Sequence, residues 1–292
     1  MTQTLSPKLV GSRLRPFETS FTAREVSTYA AVVAPHHRVH FDDEADANPP
    51  APPLFATALA WRLVARLREL LEVPIADETL DRMVHFAEHL TLSRLVRSGE
   101  TLCASGEIVA LLPHAMGTRL VIELDVLDAA STRVHLEQIE VLFLGVEGPK
   151  DPLVHKPHAP LKLPRGEPFQ EPLPALEIPR ALPFLYDAAS GISAPIHISP
   201  RFAKSVGLPD IILHGTCTAA LAVTALVDRF ADGDPRRVRA FGCKFRGLVL
   251  PPTSLSLEIA SLHRTNNATS ILFHVNSADG SSALRDASLV LG

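Results

Sequence analysis

The sequence predicts an α+β fold made of two similar units in tandem, each with a long helix and an antiparallel sheet able to wrap it. Three observations support this prediction. The chain has 292 residues, a length that suggests two domains or one duplicated unit. A proline-rich stretch divides the chain near its middle, and the same order of helical and β-branched segments occurs on both sides of that stretch.

Proline is unusually frequent, with 25 in 292 residues against a usual share of about 5%. Ten of these prolines lie between Pro149 and Pro183. Because proline lacks an amide donor and fixes φ, such a stretch favours extended chain over helix interiors and central strands. We therefore predict an N-terminal unit over 1–148, a linker over 149–175 and a C-terminal unit over 176–292.

Equal spacings on the two sides of the linker indicate an internal duplication. Eleven residues separate Tyr29 from His40, and eleven also separate Tyr186 from His197. A chance match would have to reproduce both this spacing and the order of elements, so we interpret the two halves as repeats.

Each half contains one apolar helix followed by four β-branched segments. The helices are predicted to begin near Leu54 and Leu213, where small and apolar residues occupy most positions. The segments that follow alternate in polarity and are separated by turn dipeptides such as Ser98-Gly99 and Asp279-Gly280. This pattern indicates antiparallel strands rather than βαβ crossovers.

Composition and motifs exclude several classes of function. The net charge of −4 and the 5% aromatic content argue against nucleic acid as a partner. No apolar run is long enough for a membrane span, and the N-terminus does not resemble a secretory signal, so we expect a cytoplasmic protein. No nucleotide-binding glycine motif is present, and Cys103, Cys217 and Cys243 are too widely spaced for a zinc or disulfide framework. We expect no cofactor and no metal.

The most informative segment lies near the start of the C-terminal unit. It contains Ser190-Gly191, Pro195-Ile196-His197 and Ile212-Leu213-His214-Gly215-Thr216. This segment resembles the signature of the MaoC-like dehydratases and R-specific enoyl-thioester hydratases. In the N-terminal unit, Val84–Leu90 and Ser98–Thr101 resemble the first repeat of double-hot-dog members, such as the actinobacterial 3-hydroxyacyl-thioester dehydratases.

This resemblance implies a double hot-dog fold, in which each sheet wraps a long central helix. It also implies addition or removal of water across the α,β bond of an acyl thioester carried by coenzyme A or acyl carrier protein. Two such units in one chain would form a pseudo-dimer, and a homodimer of the chain stays open.

By the same resemblance, His197 is the acid/base, and the amide of Gly215 at the helix N-terminus donates to the thioester oxygen. The sequence departs from the family motif at two positions, because Ile192 stands where the family has its aspartate and Ala194 where it has its asparagine. Further catalytic candidates near this motif are Ser193 and His214; other polar groups that could replace the aspartate are Asp187, Ser190 and Asp210.

The N-terminal unit has a histidine-rich cluster of its own. His40 is the repeat equivalent of His197, which makes it a candidate second site or a relic. His36 and His37 precede an acidic run over residues 42–46, and we interpret this region as a solvated connection rather than a metal site. On the strand that follows, strict alternation places His85 and His89 on one face and Glu88 on the other.

The leading hypothesis is a hydro-lyase, a (3R)-hydroxyacyl dehydratase or enoyl hydratase, with an altered active site. One alternative is a repurposed isomerase, cyclase or thioesterase in polyketide or fatty-acid metabolism. Another is a catalytically silent subunit that binds an acyl group for a partner enzyme.

Overall fold

A computed structural model describes residues 3–158 and 161–292. The N-terminal half contains five long strands and four α-helices in the order β1 (Arg13–Ser20), α1 (Ala23–Val33), α2 (Phe55–Val64), α3 (Leu67–Leu70), α4 (Asp77–Leu80), β2 (Met83–Leu92), β3 (Thr101–His114), β4 (Gly117–Asp128) and β5 (Arg133–Leu144).

The C-terminal half repeats this order with additional short helices before its central helix. The linker first contributes a two-residue strand. The elements are β6 (Leu153–Val154), β7 (Leu176–Ile178), α5 (Leu182–Ser190), α6 (Pro195–Ile198), α7 (Pro200–Ser205), α8 (Gly215–Phe230), β8 (Val238–Phe245), β9 (Thr253–Arg264), β10 (Thr269–Ser277) and β11 (Ser282–Leu291).

One continuous antiparallel sheet joins the two halves. Its strand order is β1-β3-β4-β5-β2-β8-β11-β10-β9-β7, with β6 paired to β3. The order on one side of the β2–β8 pair repeats in reverse on the other side, which relates the halves by a pseudo-twofold axis. The predicted α+β class, with two tandem antiparallel units that each pack on a helix, is confirmed.

The helices α1 and α5 meet at this axis. Tyr29 on α1 and Tyr186 on α5 are fully buried, and their hydroxyl oxygens lie 3.4 Å apart. The capping box between Thr22 and Glu25 fixes the start of α1, while Gly191 ends α5 in the left-handed conformation that glycine adopts readily. The equal sequence spacings therefore reflect structurally equivalent positions.

The central helices carry the apolar core of each half. Helix α8 spans 16 residues, of which 11 are buried, so it is surrounded by protein over most of its length. The N-terminal counterpart is shorter than the sequence suggests, because α2 ends at Val64 and the chain bends before α3. The bend turns Leu67 and Leu70 into the core. Among the described residues, no helix is both long and apolar enough to cross a membrane.

The linker is extended and is attached to both halves. Leu153 and Val154 pair with β3, and Lys156 bonds to carboxylates on β3 and β4. Further along, Glu167 forms a bridge with Leu262 of β9. The proline-rich chain thus lies along the sheet with little secondary structure of its own.

A β-bulge in β2 corrects the prediction for its polar residues. The register between β2 and β5 shifts between His85 and Ala87, which adds one residue to β2 at Phe86. His85 and Glu88 therefore share a face, with 3.1 Å between Nε2 and Oε2, whereas His89 points to the opposite face. The prediction that His85 and His89 share a face was wrong because strict alternation fails across a bulge.

Two carboxylic acids meet inside the N-terminal half. Glu88 and Glu137 are fully buried and adjacent, and both burial and the neighbouring carboxyl group raise the pKa of Glu88 well above its usual range. Val96 follows β2 and Val249 follows β8, and their carbonyls accept equivalent hydrogen bonds, so these two residues occupy the same position in the two halves. Glu88 lies eight residues before Val96, and Phe241 lies eight residues before Val249, so the two are structurally equivalent. A buried acid therefore occupies the position that an aromatic ring has in the other half.

We predict that Glu88→Gln increases the free energy of unfolding at pH 8 and has a smaller effect at pH 5. A raised native pKa means that the native state holds this proton more tightly than the unfolded state. Its contribution to stability is therefore lost progressively as pH rises above the unfolded value of about 4.5. Urea unfolding at pH 5 and pH 8 checks this, with the exposed Glu258→Gln as control; equal effects at both pH values would contradict it.

Candidate active site

The N-terminus of α8 presents unpaired amide donors. The Leu213 amide donates to the Val249 carbonyl, and the amides of Cys217 and Thr218 both donate to the His214 carbonyl. Among the described residues, the amides of the first two helical residues, Gly215 and Thr216, donate no hydrogen bond to a protein acceptor. Both residues line a cavity. These donors and the helix dipole favour negative charge at this point.

Glycine is required at position 215 for packing. A Cβ atom there would lie 2.6 Å from Cδ1 of Phe245, which is far inside ordinary contact distance. The phenyl ring therefore approaches the helix start as closely as a glycine permits, and both residues line the cavity.

His197 is held with one ring nitrogen available. Its Nδ1 lies 2.9 Å from the Ile212 carbonyl oxygen, and because a carbonyl can only accept, Nδ1 carries the proton. Nε2 then keeps its lone pair, and the ring lines the cavity. Burial lowers the pKa of His197 below its usual value, since desolvation disfavours the imidazolium. The neutral ring can accept a proton at Nε2.

His214 stacks on His197, with ring centroids 3.6 Å apart and an angle of 23° between the rings. Its Nε2 donates to the Ile192 carbonyl at 3.0 Å and lies 3.8 Å from Oδ1 of Asp187. Burial and the adjacent His197 lower the pKa of His214 to about 3. Burial raises the pKa of Asp187, against hydrogen bonds from Ala194 and Ser193. The neutral His214 ring thus packs against His197 and supports its orientation.

The cavity measures about 420 Å³ and is built from both halves. The C-terminal half supplies the two histidines and the start of α8. The N-terminal half supplies a mainly apolar wall: Trp61, Met83, Val84, Phe86, Met116, Leu142 and Leu144. His85 also lines this wall, and burial lowers its pKa to about 3. An apolar chain attached to a group at α8 would lie against this wall.

Only some of the positions that the motif comparison singled out line the cavity. Ile192 and Ala194 line the cavity, whereas Ser193 is exposed and is not part of the lining. Asp210 is engaged at the surface with Arg180, at 2.7 Å. The Ser190 hydroxyl donates to the Tyr186 carbonyl and accepts from the Ile192 amide, so it serves the end of α5.

His40 has the same hydrogen bond as its counterpart but lies outside this cavity. Its Nδ1 donates to the Pro50 carbonyl at 2.8 Å, and burial lowers its pKa to about 4. The Phe55 amide donates to the Pro52 carbonyl, as Cys217 does to His214 in the other half. Pro53 therefore occupies the position of Gly215. Proline has no N–H, so the N-terminal half lacks this oxyanion donor.

Several lining residues were not singled out by the sequence argument. Trp61 is the single tryptophan of the chain and lies on the predicted central helix, where it resembles an ordinary core residue. His85 depends on the bulge for its orientation, and Arg246 directly follows the end of β8. The only tryptophan of the sequence lies on an apolar helix, and this is the one signal that could have suggested a ligand cavity.

Two family profiles match the two halves of the chain. Residues 166–278 match the family profile described as "MaoC like domain", and residues 8–134 match "FAS1-like, dehydratase domain region". The chain thus carries a MaoC-like domain in its C-terminal half and a FAS1-like dehydratase region in its N-terminal half. The first match begins in the linker and covers most of the C-terminal half, and the second lies within the N-terminal half.

Relatives cover the chain to different extents. The probable enoyl-CoA hydratase 2 of Dictyostelium discoideum is 23% identical over 97% of this chain and 93% of its own length. The peroxisomal multifunctional enzymes type 2 of mouse and Drosophila melanogaster are 29% and 26% identical over 86% and 82% of this chain. This chain covers only 34% and 41% of those two enzymes.

Solved structures show the same fold. A MaoC-like dehydratase from Phytophthora capsici superposes with a TM-score of 0.81 over 99% of both chains, at 19% identity. A Mycobacterium tuberculosis protein described as having a double hotdog fold gives a TM-score of 0.61 at 15% identity and covers 98% of this chain and 96% of its own. The predicted double hot-dog fold is thereby confirmed.

We predict that Gly215→Ala lowers the free energy of unfolding by about 1–3 kcal/mol, as overpacking of a tight contact does. The added methyl group must displace the Phe245 ring. Gly215→Ala combined with Phe245→Leu should recover most of that loss, with Phe245→Leu alone as the control. Urea unfolding checks this, and equal stability of Gly215→Ala and the natural protein would refute the contact.

Proposed function

We propose that this MaoC-like protein acts on an acyl thioester of coenzyme A or acyl carrier protein, as a (3R)-hydroxyacyl dehydratase or enoyl hydratase. One observation carries the proposal: the free Nε2 of His197 and the unpaired amides of Gly215 and Thr216 line one end of a cavity whose other wall is apolar. An acid/base, an oxyanion site and a lipophilic chamber are what this chemistry needs. The names of the relatives support the same class.

The two amides at the start of α8 would receive the thioester oxygen. Negative charge grows on that oxygen when the α C–H bond breaks, and the helix dipole stabilises it. Because the donors are fixed in the folded protein, they need no reorganisation as the charge develops. The acyl tail would then extend along Trp61, Phe86 and Leu142.

His197 would accept and return the proton. In dehydration, Nε2 takes the α-proton, the electron pair forms the Cα=Cβ bond, and the β-hydroxyl leaves. With Ile192 and Ala194 as apolar neighbours, the same imidazolium would return the proton to that hydroxyl, which departs as water. A single group can do both only if the α-hydrogen and the hydroxyl lie on the same face of the substrate. Hydration is the reverse.

The apolar side chains of Ile192 and Ala194 also favour a second candidate function. A cavity without a carboxyl group beside His197 suits a repurposed isomerase, cyclase or thioesterase, or a subunit that only holds an acyl group. All these candidates use the same thioester site, and we propose a cytoplasmic location for each of them.

We predict that His197→Ala lowers turnover of (3R)-hydroxyacyl-CoA or crotonyl-CoA by about 10²–10⁴-fold. Because the substitution also removes the hydrogen bond to the Ile212 carbonyl, the free energy of unfolding should fall by about 1–3 kcal/mol, which leaves the protein folded. Steady-state assays with His263→Ala as control check this. In the natural protein, activity should persist below pH 6.5, since the lowered pKa keeps His197 neutral there. An unaffected rate in His197→Ala would contradict the assignment.

We also predict that Ile192→Asp with Ala194→Asn raises hydration of crotonyl-CoA by about 10²-fold. The carboxylate would supply a second proton-exchanging group beside His197. The matched control is Ile192→Asn with Ala194→Asn, which has the same shape but no exchangeable acid. If burial raises the new carboxyl pKa, the gain should develop only at higher pH. A double variant no faster than its control from pH 5 to pH 9 would show that the missing acid does not limit hydration.

A further inference from the structure

A cluster outside the cavity joins the two halves of the chain. Helix α1 ends at Val33, and His36 and His37 follow its C-terminus in the N-terminal half. Asp228 lies in the last turn of α8 in the C-terminal half. None of these three side chains lines the cavity, so the cluster is separate from the proposed acyl site.

The three side chains converge through their ligand atoms. Nε2 of His36 lies 2.9 Å from Oδ2 of Asp228, and Nε2 of His37 lies 2.5 Å from Oδ1. The ligand atoms of all three residues lie within 4.8 Å of one another. The His37 side chain is 4% exposed, whereas those of His36 and Asp228 are 57% and 40% exposed. One imidazole is therefore fixed by packing, and the other two groups can adjust.

The electrostatic environment favours a cation at this point. His36 and His37 follow the C-terminus of α1, and Asp228 lies in the last turn of α8, where the helix dipoles are negative and the carboxylate adds further negative charge. Among the residues that the structure describes, no lysine or arginine pairs with Asp228. Its neighbour Arg229 is paired with Glu171, and Arg237 with Asp232. The carboxylate therefore has two imidazoles as its partners.

We propose that His36, His37 and Asp228 form a binding site for a divalent transition-metal ion of the Zn²⁺ class. Two imidazoles and one carboxylate are ligands that Zn²⁺ prefers, whereas Mg²⁺ and Ca²⁺ prefer oxygen donors only. Tetrahedral coordination at about 2.0–2.1 Å separates the ligand atoms by about 3.3 Å. Small rotations of the two exposed side chains would reach that spacing, and solvent would fill the fourth position.

The ion would link the two halves away from the β2–β8 seam. Its ligands come from sequence positions 36, 37 and 228, so the site exists only when the two units are folded and docked. Binding to the native state alone raises its stability with metal concentration. The proposed role is therefore structural, and it does not depend on the proposed reaction.

The test is metal binding by the full chain after removal of metals with a chelating resin. Titration with ZnCl₂ against a chromophoric competitor should show one ion per chain, and saturation should raise the melting temperature by several degrees. MgCl₂ should do neither. His37→Ala and Asp228→Asn should each weaken Zn²⁺ binding by at least about 10-fold. The control is His155→Ala, which removes another exposed histidine paired with a carboxylate, Glu107 at 3.0 Å.

Two results would overturn the proposal. One is no binding of Zn²⁺ at micromolar concentration, in which case the histidines only bond to the carboxylate. The other is equal binding by the natural protein and by His36→Ala, whose exposed side chain can be removed without loss of core packing. This second variant keeps the test decisive even if His37→Ala fails to fold.

Discussion

The antiparallel pairing of β2 with β8 is the constraint on which the rest of the structure depends. It merges two sheets into one and fixes the pseudo-twofold axis, along which Tyr29 and Tyr186 meet. The same pairing sets Phe245 of one half against His85 of the other, with ring centroids 4.2 Å apart. The cavity exists because this seam brings the wall of one unit to the helix start of the other.

Within this symmetric frame the two halves have diverged at equivalent positions. Where the C-terminal half has Gly215 with a free amide, the N-terminal half has Pro53 with none. Where the N-terminal half buries Glu88, the C-terminal half has Phe241. The eleven-residue spacing also makes His37, a member of the proposed metal site, the counterpart of Ala194 in the cavity. At these equivalent positions one half has a polar group where the other has an apolar one. The two halves therefore contribute different chemical groups to the protein.

Local signals in the sequence were sufficient for the order of elements and for one end of the site. The capping box at Thr22, the prolines of the linker and the equal spacings each act over a few residues, and the motif around His197 is nearly contiguous. The faces to which His85 and Glu88 point could not be predicted, because the bulge depends on pairing with β5 and has no fixed sequence signature in the strand itself. Asp228 is almost two hundred residues from His36, and only tertiary packing brings them together.

The stacked imidazoles of His197 and His214 limit how many protons the site can hold. At a centroid separation of 3.6 Å, a positive charge on one ring strongly disfavours a second charge on the other, because little water screens them. The pair therefore carries at most one added proton over the ordinary pH range. A proton taken up from a ligand must go back to that ligand or to water before the next can be accepted. The two rings thus handle one proton at a time.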